Sequence, residues 1–115
     1  MTLDLPPDEN VGTKLLFANE VVRVWEMRLA PGAASPLHRH HCDYVIAYAS
    51  GLDAEILLDG ERTTALFEAG HVAYYPVGRD GSQLQQLINA GREEHLHFVI
   101  ELVAENEAAP PSSNV

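Results

Sequence analysis

The stretch 32–51, GAASPLHRHHCDYVIAYASG, decides how the rest of the chain is read. Residues 37–49 are rich in His, Tyr and β-branched side chains, carry no helix-starting signal and end at Ser50-Gly51, so they predict a strand. Alternate side chains on a strand share a face. His38 and His40 therefore project to one side, with Cys42, Tyr44, Ile46 and Tyr48 continuing that parity, while Arg39, His41 and Asp43 turn away as surface polar groups. Two neutral imidazoles so placed can share one metal ion, and Tyr44 is the next polar group on their face.

Working outward, 20–29 alternates in its second half, with Trp25, Met27 and Leu29 on one parity, and Pro31-Gly32 marks the turn after it. Downstream, 54–58 leads through Asp59-Gly60, a two-residue hairpin signal, into 62–67. After the turn at 68–70, a short strand over 71–75 is stopped by Pro76 and Gly78. A second hairpin has arms over 83–88 and 95–103 and a turn at Asn89-Ala90-Gly91. Its second arm carries Leu96, Phe98, Ile100 and Leu102 on one face, which puts His95 and His97 on the other, toward solvent or a subunit interface. His71, just after a turn glycine, is expected at the surface. Short strands with regular turns and no helices between them argue for an all-β antiparallel sandwich or barrel.

The chain has 115 residues, enough for one domain with its own core. The reading divides it into an N-terminal arm over 1–19, a barrel over 20–103 and a disordered tail over 104–115 that contains Pro110-Pro111-Ser112-Ser113. One cysteine, Cys42, allows no internal disulfide, and 1–10 lacks the basic start and apolar run of a signal peptide, so a cytoplasmic home is expected. No stretch approaches the roughly 20 apolar residues of a membrane helix. Seventeen acidic against seven basic residues give a net charge of -10, which disfavours nucleic acid and anionic membranes as partners.

Two spaced motifs carry a family resemblance. Gly32, His38, His40, Tyr44 and Gly51 resemble the first cupin motif, G-x5-H-x-H-x3-E-x6-G, with tyrosine in the glutamate slot. Gly70, Pro76 and Gly78 match the start of the second, G-x5-P-x-G-x2-H-x3-N, whose histidine slot falls on Gly81 in a straight alignment. A four-residue insertion after Gly78 moves the last two slots to Gln85 and Asn89, and this alignment is preferred because Asn89 then opens the hairpin turn. The resemblance covers roughly 21–102 and implies a single-domain, antiparallel cupin-type β-barrel, or jelly roll, around one pocket.

In that family two histidines, a glutamate and a third histidine bind a divalent metal. The resemblance thus implies a metal-binding cupin with an altered ligand set, in which His38, His40 and Gln85 hold iron, nickel, manganese, copper or zinc, weakly because the carboxylate is missing. His38 and Tyr44 become the candidate catalytic groups, and Tyr48 and Cys42 the candidate ligand-pocket residues. The implied activity is that of a small metal-dependent enzyme, a dioxygenase, isomerase or cyclase acting on a small organic molecule. A metal-free cupin that binds or senses a ligand is the alternative. A homodimer formed by aligning 20–29 with its copy is also expected. Nucleophilic hydrolysis is disfavoured, since no serine sits in a G-x-S-x-G elbow.

Overall fold

The structure is a computed structural model that describes residues 10–78, 81–82 and 84–103, and the eight elements among them are all strands. In chain order these are β1 (Lys14–Ala18), β2 (Val22–Leu29), β3 (Tyr44–Tyr48), β4 (Leu52–Leu58), β5 (Glu61–Phe67), β6 (Val72–Tyr75), β7 (Gln85–Asn89) and β8 (His95–Leu102). They form two antiparallel sheets, one ordered β1-β2-β8-β3-β6 and one ordered β5-β4-β7. The expected tail over 104–115 lies outside the described residues. No helix among the described residues is long and apolar enough to cross a membrane.

The alternation in β2 sets the inner face. Trp25, Met27 and Leu29 are buried as predicted, and Trp25 joins Val11, Tyr44 and Val99 in one apolar cluster. A second cluster gathers Tyr48, Leu52 and Ala54, with Ile56, Phe67 and Leu87 packed against it, so apolar side chains of both sheets meet in the middle. The β4–β5 hairpin turns at Asp59-Gly60, both with positive φ (50° and 85°), the backbone that a two-residue turn between right-twisted strands requires.

Three expectations are corrected. The arm over 1–19 is not merely an arm, because Lys14–Ala18 forms β1 at the edge of the larger sheet, with its register shifted between Leu15 and Phe17. The strand over 37–49 is regular only over Tyr44–Tyr48. Before that, the chain pairs with β7 and the segment ahead of it through separate rungs: His38 and Gln85 exchange backbone hydrogen bonds of 2.9 and 2.7 Å, and Ser82 N donates to His40 O at 2.8 Å. The parity of β8 is the reverse of the expected one: His95, His97, Val99 and Glu101 are buried, and Leu96, Phe98, Ile100 and Leu102 are half-buried on the other side. Register is the cause, since β2 opposes Trp25 to Val99, Met27 to His97 and Leu29 to His95, so those β8 residues share the inner face of β2. Both edges of β2 are paired within the chain, by β1 and β8.

Asn89 closes β7. It is 1% exposed, its Nδ2 donates to Leu29 O at 3.0 Å and Glu93 O at 2.8 Å, and its Oδ1 accepts from Gly91 N at 2.9 Å. Replacing it strands two carbonyls and an amide in a buried corner. Asn89→Ala should therefore lower unfolding free energy by about 2 kcal/mol, whereas a loss under about 0.5 kcal/mol in urea titration would contradict this role.

Candidate functional site

A cavity of about 310 Å³ opens between the two sheets. Its walls are largely apolar, with Met27 and Val99 from the larger sheet and Ile56, Leu58, Phe67 and Leu87 from the smaller. The polar groups on its lining are His38, His40, Tyr44, Tyr48, Gln85 and His97, together with Tyr75 and Gln86. No Arg, Lys, Asp or Glu belongs to the lining among the described residues.

His38 is 5% exposed, and its Nδ1 lies 2.7 Å from Pro36 O. A carbonyl can only accept, so Nδ1 carries the proton and Nε2 keeps its lone pair. Burial lowers the pKa of His38, against the opposing effect of the Pro36 bond. His40 sits at right angles to it, ring centroids 5.0 Å apart, and stacks on Tyr44 at 3.7 Å. Burial, followed by the neighbouring His38, His41 and His97, pushes the pKa of His40 down to about 3. Its Nδ1 is buried without a hydrogen-bond partner. Both rings are therefore neutral throughout the physiological range.

Tyr44, in the glutamate slot, is a phenol and not an anion: burial raises its pKa to about 12, against the opposing effect of the Gln85 side chain. Gln85 lines the cavity and Gly81 does not. Tyr48 lines it too, with its pKa raised chiefly by burial and then by the neighbouring Tyr75. Of the other two tyrosines, Tyr75 lines the cavity and Tyr74 is exposed.

Cys42 is buried but does not line the cavity, contrary to expectation. It turns to a separate polar cluster at the end of β8. Glu101 Oε1 accepts from Trp25 Nε1 at 2.8 Å, and Arg23 Nε stands 3.0 Å from the same oxygen at an ion-pair separation whose angle falls short of a hydrogen bond. The Cys42 thiol reaches Glu101 Oε2 at 3.7 Å, and burial, with the Glu101 charge beside it, raises its pKa to about 11. It remains a thiol at neutral pH.

Asp43, expected as a surface group, ties β3 to β6 by accepting from Val77 N at 2.7 Å and from the Tyr74 hydroxyl. His71 is exposed, as expected. The residue missed from sequence is His97, 2% exposed and on the cavity wall. The only signal was its i, i+2 spacing from His95, and it was read on the wrong face.

The implied metal is tested by the donors. Among the described residues, no three His, Cys, Asp or Glu side chains stand close enough to hold an ion. His38 and His40 are two neutral donors, Tyr44 stays protonated, Gln85 offers only a neutral amide oxygen, and the buried carboxylate of Glu101 is committed elsewhere. A dication would enter a cavity with no facing anion to offset its lost hydration. The set does not fit a tightly held divalent ion.

No family model and no curated protein matches the chain. Solved structures do. A cupin domain from Bordetella pertussis is 23% identical, with a TM-score of 0.68, over 86% of this chain and 98% of that one. A Cupin 2 conserved barrel domain protein from Salinispora arenicola is 27% identical, with a TM-score of 0.60, over 90% and 84%. An RmlC-like cupin with a double-stranded β-helix fold, from Methanocaldococcus jannaschii, is 14% identical, with a TM-score of 0.65, over 95% and 96%. With two facing antiparallel sheets, His38, His40 and Tyr44 of the first motif and Gln85 of the second on one cavity, and these neighbours, the chain has the fold of a small single-domain cupin.

Proposed function

We propose that this cupin binds a small, mostly apolar organic molecule between its sheets without a resident metal. The observation that carries this reading is the cavity itself: about 310 Å³, at the lower end of ligand-pocket sizes, apolar on most sides, uncharged, and furnished with a few convergent polar groups. Aliphatic and aromatic walls supply affinity by area, and His38, Tyr44 and Gln85 orient what enters. His38 offers an acceptor at Nε2, and Tyr44 a hydroxyl that stays protonated. Those two groups also hold any proton-transfer chemistry the pocket performs.

A second reading, the metal-dependent enzyme with His38, His40 and Gln85 as ligands, is favoured by one observation. The Pro36 bond leaves His38 Nε2 bare while His40 Nδ1 has no partner, so two imidazoles have nitrogens to spare.

One experiment separates the two. Protein purified without an affinity tag is assayed for metal by elemental analysis and for bound organic molecules by native mass spectrometry, beside His38→Ala, His40→Ala and the cavity-filling Leu87→Trp. The first reading expects substoichiometric metal that ignores both histidine substitutions, and small-molecule binding weakened roughly tenfold or more by Leu87→Trp. Near-stoichiometric metal lost in both histidine variants would overturn it in favour of the second.

A further inference from the structure

His97 lies outside both motifs, yet three bonded groups behind it fix what it can do. The Gly51 carbonyl, 3.1 Å from His95 Nδ1, can only accept, so His95 carries its proton on Nδ1 and its Nε2 is an acceptor. His95 Nε2 is 2.8 Å from His97 Nδ1, so that nitrogen must donate. The chain of one carbonyl and two imidazoles thus runs in a single direction and leaves His97 Nε2 as a bare lone pair on a ring that lines the cavity. Ser50 Oγ, 3.1 Å from His95 Nδ1, accepts from Leu96 N at 2.9 Å and has Gly51 O at 3.5 Å to receive its own proton, an arrangement that keeps the same order.

We propose that His97 is the hydrogen-bond acceptor that selects the ligand of this cavity, and that the ligand is a neutral hydroxyl compound, an alcohol, phenol or enol, on an apolar frame. The proposal rests on the reading that the cavity binds a small molecule. A lone pair facing inward repels a carboxylate or phosphate, and no Arg or Lys lines the wall to offset it. An ammonium finds no Asp or Glu on the lining, and burying it there unpaired is costly. What remains is a neutral donor that can satisfy Nε2 while its hydrocarbon part meets Met27 and Val99 beside it. His95 is a positioning residue: it touches no ligand and acts by holding His97 in one tautomer.

The test uses 2-naphthol and 2-methylnaphthalene, which share a bicyclic frame and differ by a hydroxyl against a methyl group of similar size. Calorimetric titration of the full chain should show 2-naphthol bound roughly tenfold more tightly, because the methyl group leaves Nε2 buried and unpaired. His97→Phe should abolish that preference and leave the affinity for 2-methylnaphthalene within about threefold of its starting value. Equal binding of both probes by the unaltered chain, or a preference that survives His97→Phe, overturns the proposal and leaves the cavity reading standing. Failure of both probes to bind removes the two together. Should His97→Phe not fold, long-range 1H–15N correlation on the unaltered chain decides: a protonated Nδ1 is expected at His97, and a protonated Nε2 sinks the proposal.

Discussion

Acidification from about pH 7 to about pH 5 should remove about 3–4 kcal/mol of folding stability, a large share of what a domain of this size has. The cause is the set of imidazoles held neutral inside the barrel. Burial depresses the pKa of His40 and His97 to about 3, and lowers those of His38 and His95 as well. An unfolded chain protonates the same groups near pH ~6.5. Their contribution is therefore whole above that pH and is lost progressively as pH falls toward about 3, at about 1.4 kcal/mol per pH unit for each imidazole that stays neutral only when folded. His40 and His97 together account for the stated loss, and His38 and His95 deepen it. Glu101 runs the other way: burial raises its folded pKa, so the folded chain takes up that proton first and recovers part of the loss. Urea midpoints measured across this range should fall steeply below about pH 6.5. A midpoint flat to about pH 5 would mean that the imidazoles are not buried as described.

The second large effect is expected at Glu101. Its side chain is 1% exposed and joins Trp25, Arg23 and Cys42. Glu101→Ala leaves the indole N–H without an acceptor and the Arg23 guanidinium, 17% exposed, beside a void. A loss of about 3–5 kcal/mol follows from breaking a buried pair by removing one partner. Glu101→Gln keeps the shape and one acceptor for Trp25, so its cost should be smaller, about 1–2 kcal/mol. If Glu101→Ala costs less than about 1 kcal/mol, the cluster is no keystone. Because it lies off the cavity, the two variants should leave ligand affinity within about twofold for the folded fraction, which separates this cluster from the site.

The parts of the molecule legible from sequence are those written in local chemistry. Asp59-Gly60 specifies its turn because few other residues tolerate two successive positive φ angles, and the alternation of Trp25, Met27 and Leu29 reports a buried face directly. His38 and His40 were placed on one wall by spacing alone, which survives the loss of regular strand structure because an extended backbone keeps its two-residue period. β1 was missed because its register shifts between Leu15 and Phe17, so Lys14–Ala18 never shows a clean alternation. The face of β8 was misread for a different reason. Periodicity counts histidine and glutamate as polar, but His95, His97 and Glu101 enter the core by satisfying one another and their neighbours, and those partners, Gly51, Trp25 and Arg23, are distant in sequence. Leu96, Phe98 and Ile100 then supplied a persuasive stripe on the wrong side.

The order of strands in the larger sheet has a bearing on how the chain reaches this state. Its middle strand, β8, comes last among the described strands, and on its two sides stand β2 and β3, some seventy and fifty residues earlier in the chain. Neither can pair with β8 until that strand is present, so the loop-closing entropy falls due before the two halves of the sheet, β1-β2 and β3-β6, can join. During synthesis, β1-β2 and β3-β6 can pair early, but each of β2 and β3 keeps one open edge until His95–Leu102 emerges. Folding on the millisecond-to-second scale is the expectation for such non-local pairing, and the interval before β8 arrives is when this chain is most exposed to aggregation.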